Sequence, residues 1–204
     1  MVPSPANLKA AREDLLRREE VLRGRLADPD FLANRGLGNE VGIYLFCYDP
    51  ALELELRDAV GRLVRDSENG ALPCRLIERN LYDQLLAICD DRRVSAAVPR
   101  MEAKRGTAAL VEQLRKTASL DAFAEALDYG SHEPGDVVLI TGVGEVYPHL
   151  RTHALLDNIQ HLFADVPLVV AYPGLYDGQS MRLFAGVAGR GLEDGNYYRA
   201  FNLF

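Results

Sequence analysis

Two histidines four residues apart, His149 and His153, follow Pro148 in the run GVGEVYPHLRTHALLDNIQHLF. On a helix beginning there they share one face, which Asp157 and His161 extend by further turns. A metal ion needs a third ligand, and the intervening Leu150, Arg151 and Thr152 do not supply the glutamate base of HExxH. Histidines hydrogen-bonded at a helix start account for the pattern, and no metal ligand is assigned. With Glu145 and Asp177 the two histidines make the one constellation from which a hydrolase or nucleotide-binding enzyme with a divergent site can be drawn. It requires all four side chains to converge in one pocket.

Other reaction chemistry is not legible. Ser180 lies in GQSMR and not in a GxSxG elbow, and Cys47, Cys74 and Cys89 stand in largely apolar segments without a CxxC pair. There is no GxxxxGK[ST] phosphate loop, and in GVGEVY the last glycine of GxGxxG is replaced by Tyr147. After the first apolar run come Asp49 and Pro50, so a carboxylate stands where a phosphate would sit and one amide is missing. Thr141 and Gly142 occupy the place of the acidic magnesium-binding pair of a P-loop ATPase, and Glu145 is at most a displaced acid. No catalytic residue and no cofactor is expected.

Recognition chemistry is the remaining class. In VAYPGLYDGQSMRLF, Pro173-Gly174 reads as the end of a strand and Asp177-Gly178 as a turn that introduces the next. Tyr176, Asp177, Gln179 and Arg182 either satisfy one another and hold a turn, or form a rigid surface with the Tyr and Arg content of an interface. Both readings stay open. A basic cluster, Arg92, Arg93, Arg100, Lys104 and Arg105, fits a solvated helix face, with nucleic-acid contact as the alternative.

The elements that must position these residues are read from periodicity. Leu8, Leu15, Leu22 and Leu26 mark an amphipathic helix over 1–27. VGIYLFCY is a strand covered on both faces, followed by a helix capped at Asp49. CRLIE, GDVVLITGVG and VPLVVAYPG are further strands, with helices at about 81–90 and over HALLDNIQHLF and a helical insertion at about 94–130. MRLFAG is a fifth strand, and GVAGRGLEDGN, with four glycines, reads as a mobile loop. Strands alternating with helices predict an α/β fold, a mainly parallel sheet flanked by helices, resembling a P-loop-NTPase core without Walker motifs. The length of 204 residues with 48% hydrophobic content suits one domain with its core over 41–204. A net charge of -7 disfavours duplex phosphates as a general partner. No apolar leader or spanning run is present, so the chain reads as unexported and cytoplasmic.

Three separated stretches, ITGVGEVYPHLRTHALLDNIQ, VPLVVAYPGLYDGQSMRLF and NYYRAFNL, resemble in type and order the BrxB family of bacterial BREX phage-defence systems. The resemblance covers Val137 to Leu203. It implies a noncatalytic adaptor that works beside a DNA methyltransferase and a large ATPase, binds the alkaline-phosphatase-like PglZ and other BREX components, and supports host DNA methylation and phage exclusion. DNA is met only through the complex. The residues in the shared motifs are Gly142, Gly144, Glu145, Tyr147 and Pro148; Pro173, Gly174, Tyr176, Asp177, Gly178, Gln179 and Arg182; and Asn196, Tyr197, Tyr198 and Arg199. Of these Glu145, Tyr147, Tyr176, Asp177, Gln179, Arg182, Tyr197, Tyr198 and Arg199 are taken as partner-binding candidates. Gly142, Gly144, Pro173, Gly174 and Gly178 are taken as turn formers.

Overall fold

The computed structural model describes residues 4–34, 42–197 and 199–204. Seven strands form the sheet: β1 (Ile43–Tyr48), β2 (Arg75–Asn80), β3 (Asp136–Thr141), β4 (Leu168–Tyr176), β5 (Ser180–Gly186), β6 (Gly189–Asn196) and β7 (Ala200–Asn202). Five run parallel in the order β2-β3-β4-β1-β7, while β5 and β6 form an antiparallel extension of β4.

Strand alternation builds two cores, one on each face. Ile43, Leu45 and Cys47, Val138 and Ile140, and Leu168, Val170 and Tyr172 point to one face, and Phe46 and Tyr48, Val137 and Leu139, and Val169 and Ala171 to the other. That is why these strands read as continuous apolar runs: each is covered on both sides. The second face is closed by α1 (Pro5–Leu26), α2 (Pro29–Leu32) and α3 (Glu53–Glu68), through Leu15, Leu22, Leu26, Phe31, Leu56, Val60 and Leu63. The first is closed by α4 (Leu81–Asp91), α6 (Leu120–Leu127) and α8 (Thr152–Ile159).

Within the helical insertion, α5 (Val98–Thr117) changes direction at Gly106, where φ is 78°, and buries only Leu110 and Thr117. A four-residue α7 (Val143–Val146) follows β3. The caps follow the sequence: Ser4 accepts from the Asn7 amide, Asn80 from those of Tyr82 and Asp83, and Ser119 from that of Ala122.

Two expectations are corrected. Pro173-Gly174 does not end the fourth strand, which continues to Tyr176. Pro173 lies at the last parallel pair with Tyr48, where its missing N–H costs nothing, and Gly174 begins the antiparallel pairing with β5. A Cβ on Gly174 would stand 2.0 Å from the Arg182 carbonyl oxygen, so the glycine permits this close approach. The glycine-rich stretch read as a mobile loop is instead strand β6, paired with β5 from Ser180↔Asn196 to Gly186↔Gly189. Gly191 and Gly195 fit the crowding: a Cβ on Gly191 would meet the Ala185 amide nitrogen at 2.5 Å, and one on Gly195 the His153 ring at 2.5 Å.

Candidate functional site

Open α/β sheets bind ligands beyond the carboxyl ends of their parallel strands. Beyond β1, Asp49 accepts from the Ala51 amide at 2.9 Å through one oxygen and from the Val187 amide at 2.6 Å through the other. The β5–β6 turn therefore rests on the carboxylate that stands in the phosphate position. Arg18 of α1 reaches the same strand end, donating to the Cys47 carbonyl at 3.3 Å, and its guanidinium lies over the Phe204 ring.

Beyond β2 and β3 there is a cleft of about 440 Å³, lined by Glu53, Leu56, Arg57 and Val60 of α3, Glu78 and Asn80 of β2, Tyr82 and Asp83 of α4, and Thr141, Gly142 and Glu145. Arg57 donates to both Glu145 and Glu53, and the Glu145 hydrogen bond is the main reason its guanidinium holds its proton more tightly than usual. The Tyr48 hydroxyl donates to Glu53, and burial, then that carboxylate, pushes the phenol far up. Thr141 donates to Glu78 at 2.7 Å. Gly142 is in the left-handed region, φ 75°, and a Cβ there would meet the Asn80 side-chain oxygen at 2.6 Å. The one guanidinium is shared by Glu53 and Glu145, and Glu78 and Asp83 have no cation partner among the described residues.

The third surface is the β4–β5–β6 extension, where most of the sequence candidates lie. Tyr176 and Tyr197 are inside: they are 5% and 2% exposed, and the Tyr176 hydroxyl donates to the carbonyls of Tyr197 at 2.7 Å and Ala200 at 3.0 Å. Burial pushes the Tyr197 phenol up to about 12. Asp177 is at the surface and accepts from the amides of Gln179 at 3.0 Å and Ser180 at 2.7 Å. Those amide bonds, Ser180 first, hold its carboxyl below the usual range. The Gln179 carbonyl accepts from the Tyr197 amide at 2.9 Å, tying the turn to the last motif.

Arg182 points outward from β5, directly between Leu175 on β4 and Glu193 on β6, and all three are exposed. The Tyr147 ring packs edge-on against Phe184 at 5.7 Å under the Arg151 guanidinium. Arg199 donates to Gln160 at 2.9 Å, and Tyr198 lies outside the described residues. Gly144 packs under Phe184 and Pro173, and Gly178, φ 94°, forms the turn.

The four groups of the enzyme constellation do not converge. Glu145 is bound by Arg57, the His149 Nε2 donates to the Ala118 carbonyl at 3.1 Å, the His153 ring contacts the Asp194 carbonyl, and Asp177 caps its own turn. Burial lowers the His149 pKa, which keeps the ring neutral. No group of three His, Cys, Asp or Glu among the described residues is placed to hold a metal ion. The basic cluster stands on exposed positions at the end of α4 and the first half of α5, without an ion pair among the described residues. No helix there is long and apolar enough to cross a membrane.

The residues that sequence reading missed are Glu53, Arg57, Glu78 and Asp83 in the cleft and Leu175 and Glu193 beside Arg182. The Asn80 cap with an acid three residues on was a legible helix start. The Arg57–Glu145 pair spans 88 residues and has no local signature.

The BREX protein BrxB family matches residues 77–203. The chain is similar to a BREX protein BrxB of Bacillus cereus (strain H3081.97), 34% identical over 190 residues, covering 92% of this chain and 95% of the relative. It is also similar to a BREX protein BrxB of Escherichia coli O9:H4 (strain HS), 30% identical over 186 residues, covering 89% and 88%. No solved structure matches.

Proposed function

The chain belongs to the BrxB family of BREX proteins, and from that membership we propose that it acts as a noncatalytic adaptor in a BREX phage-defence assembly, with a PglZ-type protein as its partner. The observation that carries this reading is the outward row Leu175–Arg182–Glu193 on a fixed β extension. An apolar residue, an arginine and a carboxylate on adjacent strands have the composition of a binding surface. Tyr176, Tyr197, Asp177 and Gln179 hold that surface from behind and from its turn, and Tyr147 and Arg199 tie its flanks to the helices. The parallel order β2-β3-β4-β1-β7 supports a P-loop-NTPase-like core, and Asp49 under the β5–β6 turn supports the absence of nucleotide chemistry from its role.

Calorimetric titration of the cognate PglZ-type protein, without nucleotide, tests the reading. A complex of micromolar affinity or tighter is expected, and Arg182→Ala is expected to weaken it by about tenfold or more without moving the thermal midpoint. In cells carrying the whole system the same variant is expected to lower host DNA methylation and phage exclusion. The absence of any complex for the unaltered pair ends the reading. Direct DNA contact through Arg92, Arg93, Arg100, Lys104 and Arg105 is a second reading, favoured by their exposure without ion pairs. It requires duplex binding that weakens steeply with salt.

A further inference from the structure

The adaptor reading leaves the cleft beyond β2 and β3 without a role, although it is a formed concavity with a distinctive wall. Four carboxylates, Glu53, Glu78, Asp83 and Glu145, face one guanidinium, Arg57. Glu53 and Glu145 share that guanidinium, so the uncompensated charge is on the β2–α4 side, at Glu78 and Asp83. Beside those two acids α4 turns an apolar pair to solvent, Tyr82 and Leu86, which are 41% and 45% exposed and one helical turn apart. Tyr82 also lines the cleft, so apolar face and acidic wall are one continuous surface.

We propose that this groove seats a basic amphipathic segment of a protein partner, with an Arg or Lys between Glu78, Asp83 and Glu145 and an apolar side chain on Tyr82 and Leu86. Charge complementarity selects the occupant. The acidic excess repels phosphate groups and carboxylate ligands alike. No three carboxylates among the described residues are placed to hold a metal ion, whereas a side-chain cation with several donors needs only one or two of them. The adjoining tyrosine and leucine ask for apolar contact, which a free polyamine would supply poorly and an amphipathic helix or extended segment supplies every few residues. The inference rests on the adaptor reading only in taking the occupant to be a protein.

The probe is a blocked nonapeptide of alternating arginine and leucine, titrated into the full chain by amide NMR with a glutamate–leucine peptide as control. Saturable shifts are expected at Asp83, Thr141, Gly142 and Glu145 with the basic peptide alone. Glu78→Gln with Asp83→Asn keeps the side-chain shapes and the Thr141 hydrogen bond, and is expected to weaken binding by about tenfold or more. Tyr82→Ser with Leu86→Ser, both at exposed positions, is expected to do the same at an unchanged thermal midpoint. Absence of saturable shifts, shifts centred on another face, or equal affinity of the charge variant overturns the inference. The charge variant is then titrated into the PglZ-type protein. Weakened binding makes the groove that partner's seat, and unimpaired binding supports a seat for that partner on the Leu175–Arg182–Glu193 row, with the groove, where the basic peptide binds it, taking a different basic segment. A wild-type chain that binds the basic peptide in the groove and fails to bind the PglZ-type protein overturns the adaptor reading and leaves the groove.

Discussion

Tyr176 shows how a residue with interface chemistry becomes an internal fastener. Its ring is buried and its hydroxyl lies within hydrogen-bond distance of two carbonyls, Tyr197 at 2.7 Å and Ala200 at 3.0 Å, at the start of β7. Tyr176→Phe is therefore expected to cost about 1–3 kcal/mol, seen in urea denaturation, and Arg182→Ala within about 0.5 kcal/mol. The pair separates support from contact: the first variant lowers stability, the second lowers partner affinity. His149 gives a pH signature. Burial lowers its folded pKa below the ordinary 6.5, so the unfolded chain takes up a proton more readily than the folded one. The contribution of the neutral ring is whole above pH 6.5 and is lost as pH falls from there through the folded value. Melts from pH 7.5 downward are expected to lose stability in that window, and His149→Gln is expected to flatten that part of the slope.

At the scale of elements the decisive object is β4, which serves two pairings in succession. Its first six residues pair in parallel with β1, and its last three pair antiparallel with β5. Gly174 is where the change occurs, and Gly174→Ala is expected to cost about 2 kcal/mol or more and to loosen β5 and β6 together, read as faster amide exchange over Ser180–Asn196. An exchange increase confined to α1 or α3 would refute that coupling. The same extension is held on its far side by α8: Arg151 donates to the Glu193 carbonyl at 3.1 Å and the His153 ring contacts the Asp194 carbonyl. The two histidines that looked like a ligand pair thus pin separate elements, one to α6's approach and one to β6.

For the whole molecule, the layered sheet brings its strand ends to one side and fills them unequally. The β1 end is occupied by Asp49 and the β5–β6 turn, and the β2–β3 end is an acidic cleft. Both features oppose a triphosphate, so ATP with magnesium at about 1 mM is expected to leave the thermal midpoint unchanged within about 1 °C, since a ligand stabilises only by binding the folded state. A rise of several degrees would require a phosphate site elsewhere on the molecule.

By itself the sequence determined the layered α/β class, the parallel strands and the helix start at Asp49, because apolar runs, helical periods and an Asp-Pro cap are local signals that tertiary contacts here reinforce. Ile43–Tyr48 and the Val137–Ile140 stretch of β3 are continuous apolar runs because both faces are covered, and that is visible without the fold. The motifs Val137–Leu203 also carried the family. Only tertiary structure decided that Gly186–Asn196 is largely strand, since Gly191 answers the backbone of β5 and Gly195 the ring of His153. Only it put Tyr176 and Tyr197 inside and Leu175, Arg182 and Glu193 outside, because which way a side chain points on a short antiparallel extension depends on register against its neighbours. The acidic cleft likewise exists only once Arg57 meets Glu145 and β2 meets β3, across separations no periodicity encodes.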